Sequence, residues 1–454
     1  MKLKSINPFT GELTAEFDTM TEDACREAVF KGRGAFEKWK RLSVADRLKP
    51  VAKLASIFRR KKEEYARLVA VEMGKPVRQA VSEIEKCALL CDYYHRSAEK
   101  ALMSETIETD AAKSYVVFDP LGVILGIMPW NYPFWQVTRW AVPALAAGNV
   151  CLLKHASNVP LTAIEMEKIF CEAGFPEHVF QTLLIGPQSA ERLIEQDLVD
   201  GVSLTGSVAA GAAIASLAGK NLKKSVMELG GSDPFLVFAD ADLDKAARAA
   251  ARARTTNAGQ SCIAAKRLIV AESVFDAFRD KFVEAMSTIK MGDPLDMSTD
   301  LGPVARKEFL ATLDKQLDDA LKKGASVFRG PEPPERGYFF RPAVLTGLTP
   351  DMLVLKEEVF GPVAVLAAAT SEEEMIRIAN GTEFGLGAAI WTKDVEKAQK
   401  LAREIDSGFV AINCIVKSDP RLPFGGVKKS GFGRELSHYG LKEFVNIKTV
   451  VVGQ

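Results

Sequence analysis

GVILGIM (122–128), a helical pattern running through Val142, and NVCLLK (149–154) form the stretch that decides the fold. A short apolar run, an amphipathic segment and a second apolar run make one strand–helix–strand unit, and the unit then repeats. FQTLLI (180–185), a helix near 188–195, DGVSLTG (200–206), a helix near 207–218 and KSVMEL (224–229) continue the alternation. Strands separated by crossover helices run parallel, with helices on both faces of the sheet. A second alternating stretch starts near Gly230 with FLVF (235–238), a helix at 242–254 and RLIVAE (267–272), and it extends to about Gly431. The expected fold class is α/β, with two doubly wound β/α domains.

Working outward, residues 1–18 read as a hairpin around Asn7-Pro8-Phe9-Thr10-Gly11. Helical periodicity then holds from about Thr21 to Leu102, broken at Met73-Gly74-Lys75-Pro76. YVVFDP (115–120) and FVNIKTVVVG (444–453) read as strands at the margins. Such strands need a partner, and a neighbouring subunit is the simplest one. Between Pro120 and Leu153 the only formal charge is Arg139. Four prolines and three glycines interrupt that window, so it reads as buried β/α structure and not as a membrane span.

The chain has 454 residues, enough for two or more domains, and its 47% hydrophobic content excludes disorder as the main state. Lys+Arg and Asp+Glu are both 59, which leaves no global field to recruit nucleic acid or an acidic membrane. Seven cysteines without framework spacing read as reduced thiols. The start, MKLKSINPFTGEL, has no long apolar run, so a cytoplasmic setting is expected.

Four segments carry chemistry. In NAGQSC (257–262) a glycine turn precedes a polar-flanked Cys262, which suits a presented thiol. The competing reading is a small buried cysteine, and the other six are assigned to it. In MELGGS (227–232) Glu228 closes an apolar strand, where β/α folds build their sites. In PWNYP (129–133) Asn131 sits on a rigid loop and offers an amide to a developing oxyanion. In LTGSVAAG (204–211) a helix start at Gly206 and Ser207 can face a phosphate. Cys87, Cys91 and His95 share helical spacing but lack a fourth ligand, and no metal is expected.

Taken in order, PWNYP, LLKHASNVP, LTGS, MELGGSDP, NAGQSCIAAKR, EEVFGP, FGLGAAIWT and LPFGGVKKSGFGRE resemble the aldehyde dehydrogenase superfamily along essentially the whole chain. The resemblance implies a cofactor domain over 1–102 and 121–228 and a catalytic domain over 229–435. It also implies oligomerisation strands in 103–120 and 436–454 of a homodimer or homotetramer. It makes Cys262 the nucleophile and Glu228 the base that hydrolyses the thioester. Asn131 and the Cys262 N–H become the oxyanion donors. It places Trp130, Lys154, Ser157, Gly206, Ser207, Glu358 and Phe360 along a nicotinamide dinucleotide. Relatives that prefer NAD often carry a carboxylate where this chain has Ser157, so NADP is the expected cofactor, with NAD the alternative.

A lone arginine in so apolar a window calls for an anionic partner. One reading is a structural ion pair. The other makes Arg139, with Ser418, the grip on a substrate carboxylate, as in the short bacterial succinate semialdehyde dehydrogenases this chain resembles. Broad-specificity aldehyde oxidation, cofactor-free thiol-esterase action and a non-catalytic structural role are the competing functions.

Overall fold

The computed structural model describes residues 2–454. Two main sheets organise the chain. The first has six strands in the order Gly431–Phe432, Lys224–Glu228, Gly201–Thr205, Val123–Met128, Val150–His155 and Phe180–Thr182. All neighbours in it are parallel except the first pair. The second has seven, in the order Ser326–Arg329, Ala343–Thr346, Val363–Ala369, Ala265–Ala271, Asp233–Val237, Gly387–Trp391 and Phe409–Ile412. Sheet membership changes between Glu228 and Asp233, across the Gly230-Gly231 turn.

Local chemistry explains the helices of the first sheet. Pro133, Pro160 and Pro187 each open one, at a position where the missing N–H costs nothing. Ser207 caps the helix Val208–Lys220 by accepting from Ala210 N at 3.3 Å. Gly126 lets the helix Pro133–Ala147 press onto the sheet, because a Cβ there would lie 1.9 Å from the Trp140 ring.

The N-terminal hairpin forms as Lys2–Ile6 against Leu13–Asp18. The helical region resolves into Glu22–Trp39, Val44–Arg60, Lys62–Met73 and Val77–Ala101. Two expectations need correction. The marginal strands find their first partner within the chain: Val445–Val452 runs antiparallel to Lys113–Pro120, from Val445↔Pro120 to Val452↔Lys113. Also, Gly431–Phe432, inside the second alternating stretch, returns to the first sheet, with Gly431 opposite Glu228.

The parallel register lines up Met128 with His155 and Thr205 with Glu228 at one end of the first sheet. The strand Ala265–Ala271 begins three residues after Cys262. The expected base and nucleophile therefore sit where the carboxyl end of one sheet meets the start of the other.

Candidate active site

The loop before Cys262 is strained and heavily tied. Asn257, Ala258 and Gly259 have φ of 56°, 53° and 73°, three left-handed residues in a row. Such conformations cost on the order of 1–2 kcal/mol per non-glycine residue and persist only when the surroundings over-determine them. Here they do. Arg254 is fully buried and donates to Gly259 O at 2.8 Å and Val359 O at 3.3 Å. Gln260 Nε2 reaches Asn257 O at 3.0 Å, and Gln260 Oε1 accepts from Ala305 N at 2.9 Å. Beyond the thiol, Lys266 Nζ donates to Ser261 O at 3.0 Å and Cys262 O at 2.7 Å, and pairs with Glu358 Oε1 at 2.9 Å. A Cβ at position 259 would lie 2.3 Å from Gly361 O, so glycine is required there twice over.

The Asn131 loop is stitched to this one. Asn257 Nδ2 donates to Asn131 O at 2.8 Å, and Asn131 Nδ2 to Gln260 O at 3.1 Å. One amide hydrogen of Asn131 is thereby used, and the second remains for an oxyanion. His155 holds the same loop through Nε2 to Pro133 O at 2.9 Å, while its Nδ1 accepts from Ala156 N at 2.9 Å. Burial keeps that imidazole neutral by lowering its pKa to about 4. Glu83 accepts from Phe134 N and Trp135 N at 3.0 Å each, capping the following helix. Lys75 pairs with Glu83 inside the protein and lies 3.6 Å from the Tyr132 ring centroid.

Cys262 lines a cavity of about 1080 Å³. Burial pushes its thiol up to about 12, with the Glu228 charge adding to the shift. Glu228 is itself buried, and neither carboxylate oxygen has a hydrogen-bond partner among the described residues. Burial drives its pKa well above the carboxylate range, Arg139 opposes that, and Glu435 reinforces it.

Arg139 has the ion-pair surroundings that one of its two readings expects. Its Nη2 lies 3.5 Å from Glu228 Oε2 and donates to Thr205 Oγ1 at 3.2 Å, and Nε pairs with Glu435. Its side chain is about 2% exposed, and the Phe424 ring centroid lies 5.0 Å from the guanidinium carbon. The expected anionic partner exists, and the protein supplies it twice. A buried arginine between two buried carboxyls has its charge taken. It still lines the cavity, with Nη1 outside these contacts.

Ser418 is buried and lines the cavity as expected. Its oxygen accepts from Lys86 Nζ at 2.6 Å, which leaves its own hydrogen to donate. Asp419 is drawn off by Arg421, through Nε at 2.8 Å and Nη2 at 2.7 Å, and is held at about 2. Thr256 is half-buried on the cavity rim.

The expected cofactor residues lie at the carboxyl ends of the first sheet and across from them. Lys154 ends the strand region Val150–His155, and burial alone lowers its pKa. Ser157 follows in a turn, beside Asn158, whose buried amide has no partner among the described residues. Gly206 and Ser207 precede the helix Val208–Lys220. Trp130 stacks on Phe309 at 5.0 Å and meets Phe360 edge-on at 5.8 Å. Glu358 accepts from Gly231 N at 3.1 Å as well as pairing with Lys266. A cation without a counter-ion, an unpartnered amide and a helix start suit the phosphate and ribose groups of a dinucleotide.

Sequence reading missed Lys266, Glu435 and Lys86. The first two lie inside quoted motifs without any signal of role; Lys86 is one of two lysines on the helix Val77–Ala101 and belongs to no quoted motif. Cys87 and Cys91 are buried while His95, on the same helix, is exposed.

Residues 1–450 match the model of the aldehyde dehydrogenase family. A probable succinate-semialdehyde dehydrogenase (NADP(+)) of Synechocystis sp. is 46% identical over 451 residues, covering 99% of each chain. The succinate-semialdehyde dehydrogenase (NADP(+)) of Mycolicibacterium paratuberculosis is 44% identical, covering all of this chain and 97% of its own. The solved succinic semialdehyde dehydrogenase of Streptococcus pyogenes, in complex with NADP+, is 37% identical with a TM-score of 0.97 over the full length of both.

Proposed function

The chain belongs to the aldehyde dehydrogenase family, and from that premise we propose that it oxidises succinate semialdehyde to succinate with NADP. The observation that carries the substrate is the charge of the cavity. Its lining holds eight lysines and arginines against four aspartates and glutamates, in a chain whose total is balanced. Such a wall attracts an anion and steers it inward. The named relatives from Synechocystis sp. and Mycolicibacterium paratuberculosis support the same substrate and cofactor.

The Cys262 sulfur, once deprotonated, attacks the aldehyde carbon and forms a thiohemiacetal. The second Asn131 amide hydrogen and the Cys262 N–H receive the oxyanion; one such donor contributes about 3 kcal/mol to the transition state. Bound NADP supplies the acceptor for the hydride, which leaves Cys262 as a thioester. Glu228 then takes a proton from water, whose oxygen adds to the thioester, and the acid leaves as the thiol is restored. Arg139 holds Glu228 in place and supports its ionised form. Lys154, Ser157, Asn158 and the Gly206-Ser207 helix start would hold the adenosine ribose and phosphates, while Glu358, Phe360 and Trp130 would flank the nicotinamide end. A neutral Ser157 beside Lys154 leaves room for a 2′-phosphate.

The exposed sheet margin supports a homodimer or homotetramer. Val445–Val452 is an edge strand with Ile447, Val451 and Val452 exposed, and a second copy would cover it. Among the described residues no helix is long and apolar enough to cross a membrane. All seven cysteines are unpaired, which supports a reducing cytoplasm.

A kinetic matrix of succinate semialdehyde and butyraldehyde against NADP and NAD tests the proposal. The highest kcat/KM is expected for succinate semialdehyde with NADP. Equal values for both aldehydes would replace this reading with a broad-specificity enzyme.

A further inference from the structure

The backbone N–H expected to receive the oxyanion belongs to the peptide that joins Ser261 to Cys262, and the carbonyl of that peptide is Ser261 O. A trans peptide is planar, so its C=O and N–H point in opposite directions. Whatever holds the oxygen therefore aims the hydrogen. Lys266 holds it: the ammonium donates to Ser261 O at 3.0 Å and to Cys262 O at 2.7 Å, which fixes the peptides on both sides of the thiol. Its third hydrogen goes to Glu358 Oε1 at 2.9 Å, so all three donors are used. Among the described residues the Cys262 N–H itself has no hydrogen-bond partner and stays available.

The strand carrying Lys266 is built to turn it this way. Asp233 pairs with Ala265 and Pro234 with Arg267, so the register shifts and Lys266 is the extra residue of a bulge. A bulge re-aims a side chain out of the regular alternation. Burying an ammonium is unfavourable unless acceptors meet it, and here a carboxylate and two carbonyls do. Lys266 is 1% exposed and lies outside the cavity lining, so it acts only through the groups it touches. At the sulfur its charge favours the thiolate while that of Glu358 opposes it, which leaves the hold on the backbone as its main contribution. Through Glu358, which also accepts from Gly231 N at 3.1 Å, the same tie reaches the turn that follows Glu228. We propose that Lys266 is a positioning residue that aims the Cys262 N–H at the developing oxyanion through its hold on Ser261 O. The inference rests on the reading of Cys262 as the nucleophile of an aldehyde dehydrogenase.

The test compares Lys266→Met, Lys266→Gln and Lys266→Arg with the wild-type enzyme, using NADP and either succinate semialdehyde or butyraldehyde. Lys266→Gln is uncharged and one bond shorter, so it loses the reach to both carbonyls and stays available if Lys266→Met misfolds; circular dichroism checks each. An oxyanion donor acts on the transition state and not on the bound aldehyde, so kcat is expected to fall about tenfold or more in both variants. KM for the aldehydes should hold, the two aldehydes should lose kcat alike, and the burst of NADPH should slow by the same factor. Lys266→Arg, which keeps a cation with N–H donors, should recover part of the loss. A folded Lys266→Met or Lys266→Gln with wild-type kcat, or with a defect in KM alone, overturns the role of Lys266 and leaves the functional reading standing. A wild-type enzyme that oxidises neither aldehyde with NADP overturns that reading first, and this inference with it.

Discussion

Arg139 Nη2 stands 3.5 Å from Glu228 Oε2, with both side chains about 2% exposed and with Glu435 on the arginine's Nε. One buried cation thus serves two buried carboxyls, and one of these is the proposed hydrolytic base. The pair ties the helix after the Asn131 loop to the strand that ends in Glu228.

Arg139→Ala should therefore slow oxidation of succinate semialdehyde and butyraldehyde by similar factors. Breaking a buried ion pair typically costs about 3–5 kcal/mol of stability. Denaturant unfolding should show a loss of that order, smaller at acid pH where the carboxyls protonate. A defect confined to the carboxylate-bearing aldehyde would return Arg139 to the role of substrate fork.

Glu228 has its folded-state pKa raised by burial, against Arg139, with Glu435, Arg434 and Asp233 also acting on it. A raised carboxyl pKa means that the active, ionised base gains population as pH rises. Hydrolysis of the thioester should accordingly climb along a limb lying well above the ordinary carboxylate range. Glu228→Gln should abolish that limb and leave a burst of NADPH followed by slow turnover. Rapid-mixing absorbance across pH measures both; a limb near pH 4.5 would contradict the buried environment.

Cys262 has a thiol raised to about 12 by burial and by Glu228. Thiolate is then scarce at neutral pH, and its fraction grows tenfold per pH unit below that value. Alkylation of the ligand-free enzyme by iodoacetamide, followed by peptide mass spectrometry, should accelerate about tenfold per unit between pH 7 and 9. Cys262→Ala should lose oxidation altogether.

Ser157→Glu places a carboxylate beside the expected site of the 2′-phosphate. At an effective dielectric constant near 20, like charges 4 Å apart repel by about 4 kcal/mol. Relaxation and solvent reduce this, so a selective rise in KM for NADP of about tenfold to a hundredfold is expected. Similar effects on NAD would show that residue 157 does not face the phosphate.

Gly259→Ala combines a left-handed φ of 73° with a Cβ 2.3 Å from Gly361 O. Strain of about 1–3 kcal/mol plus the displaced backbone should lower the unfolding free energy and misplace the thiol. Thermal unfolding and kcat should fall together. A variant with full kcat would show that the loop tolerates another path.

The alternation from GVILGIM to KSVMEL already implied a parallel sheet, because hydrophobic period and crossover length are local properties. The structure follows it strand by strand. Pairing of the marginal strands was less legible. Apolar edges announce that a partner is needed, yet Lys113–Pro120 and Val445–Val452 are more than 300 residues apart, and only the folded chain brings them together.

By itself the sequence determined the fold class, the order of the motifs and the residue types that could act: a thiol after a glycine turn, a carboxyl at a strand end, an amide between prolines. Those follow from short-range geometry and side-chain chemistry. Tertiary structure alone decided how the charges are shared. Arg139 meets Glu228 and Glu435, while Lys86 meets a hydroxyl and a ring. Charge interactions depend on distance and burial, and neither is encoded in any one stretch of chain, so the partners of Arg139 could not be read from the apolar window that contains it.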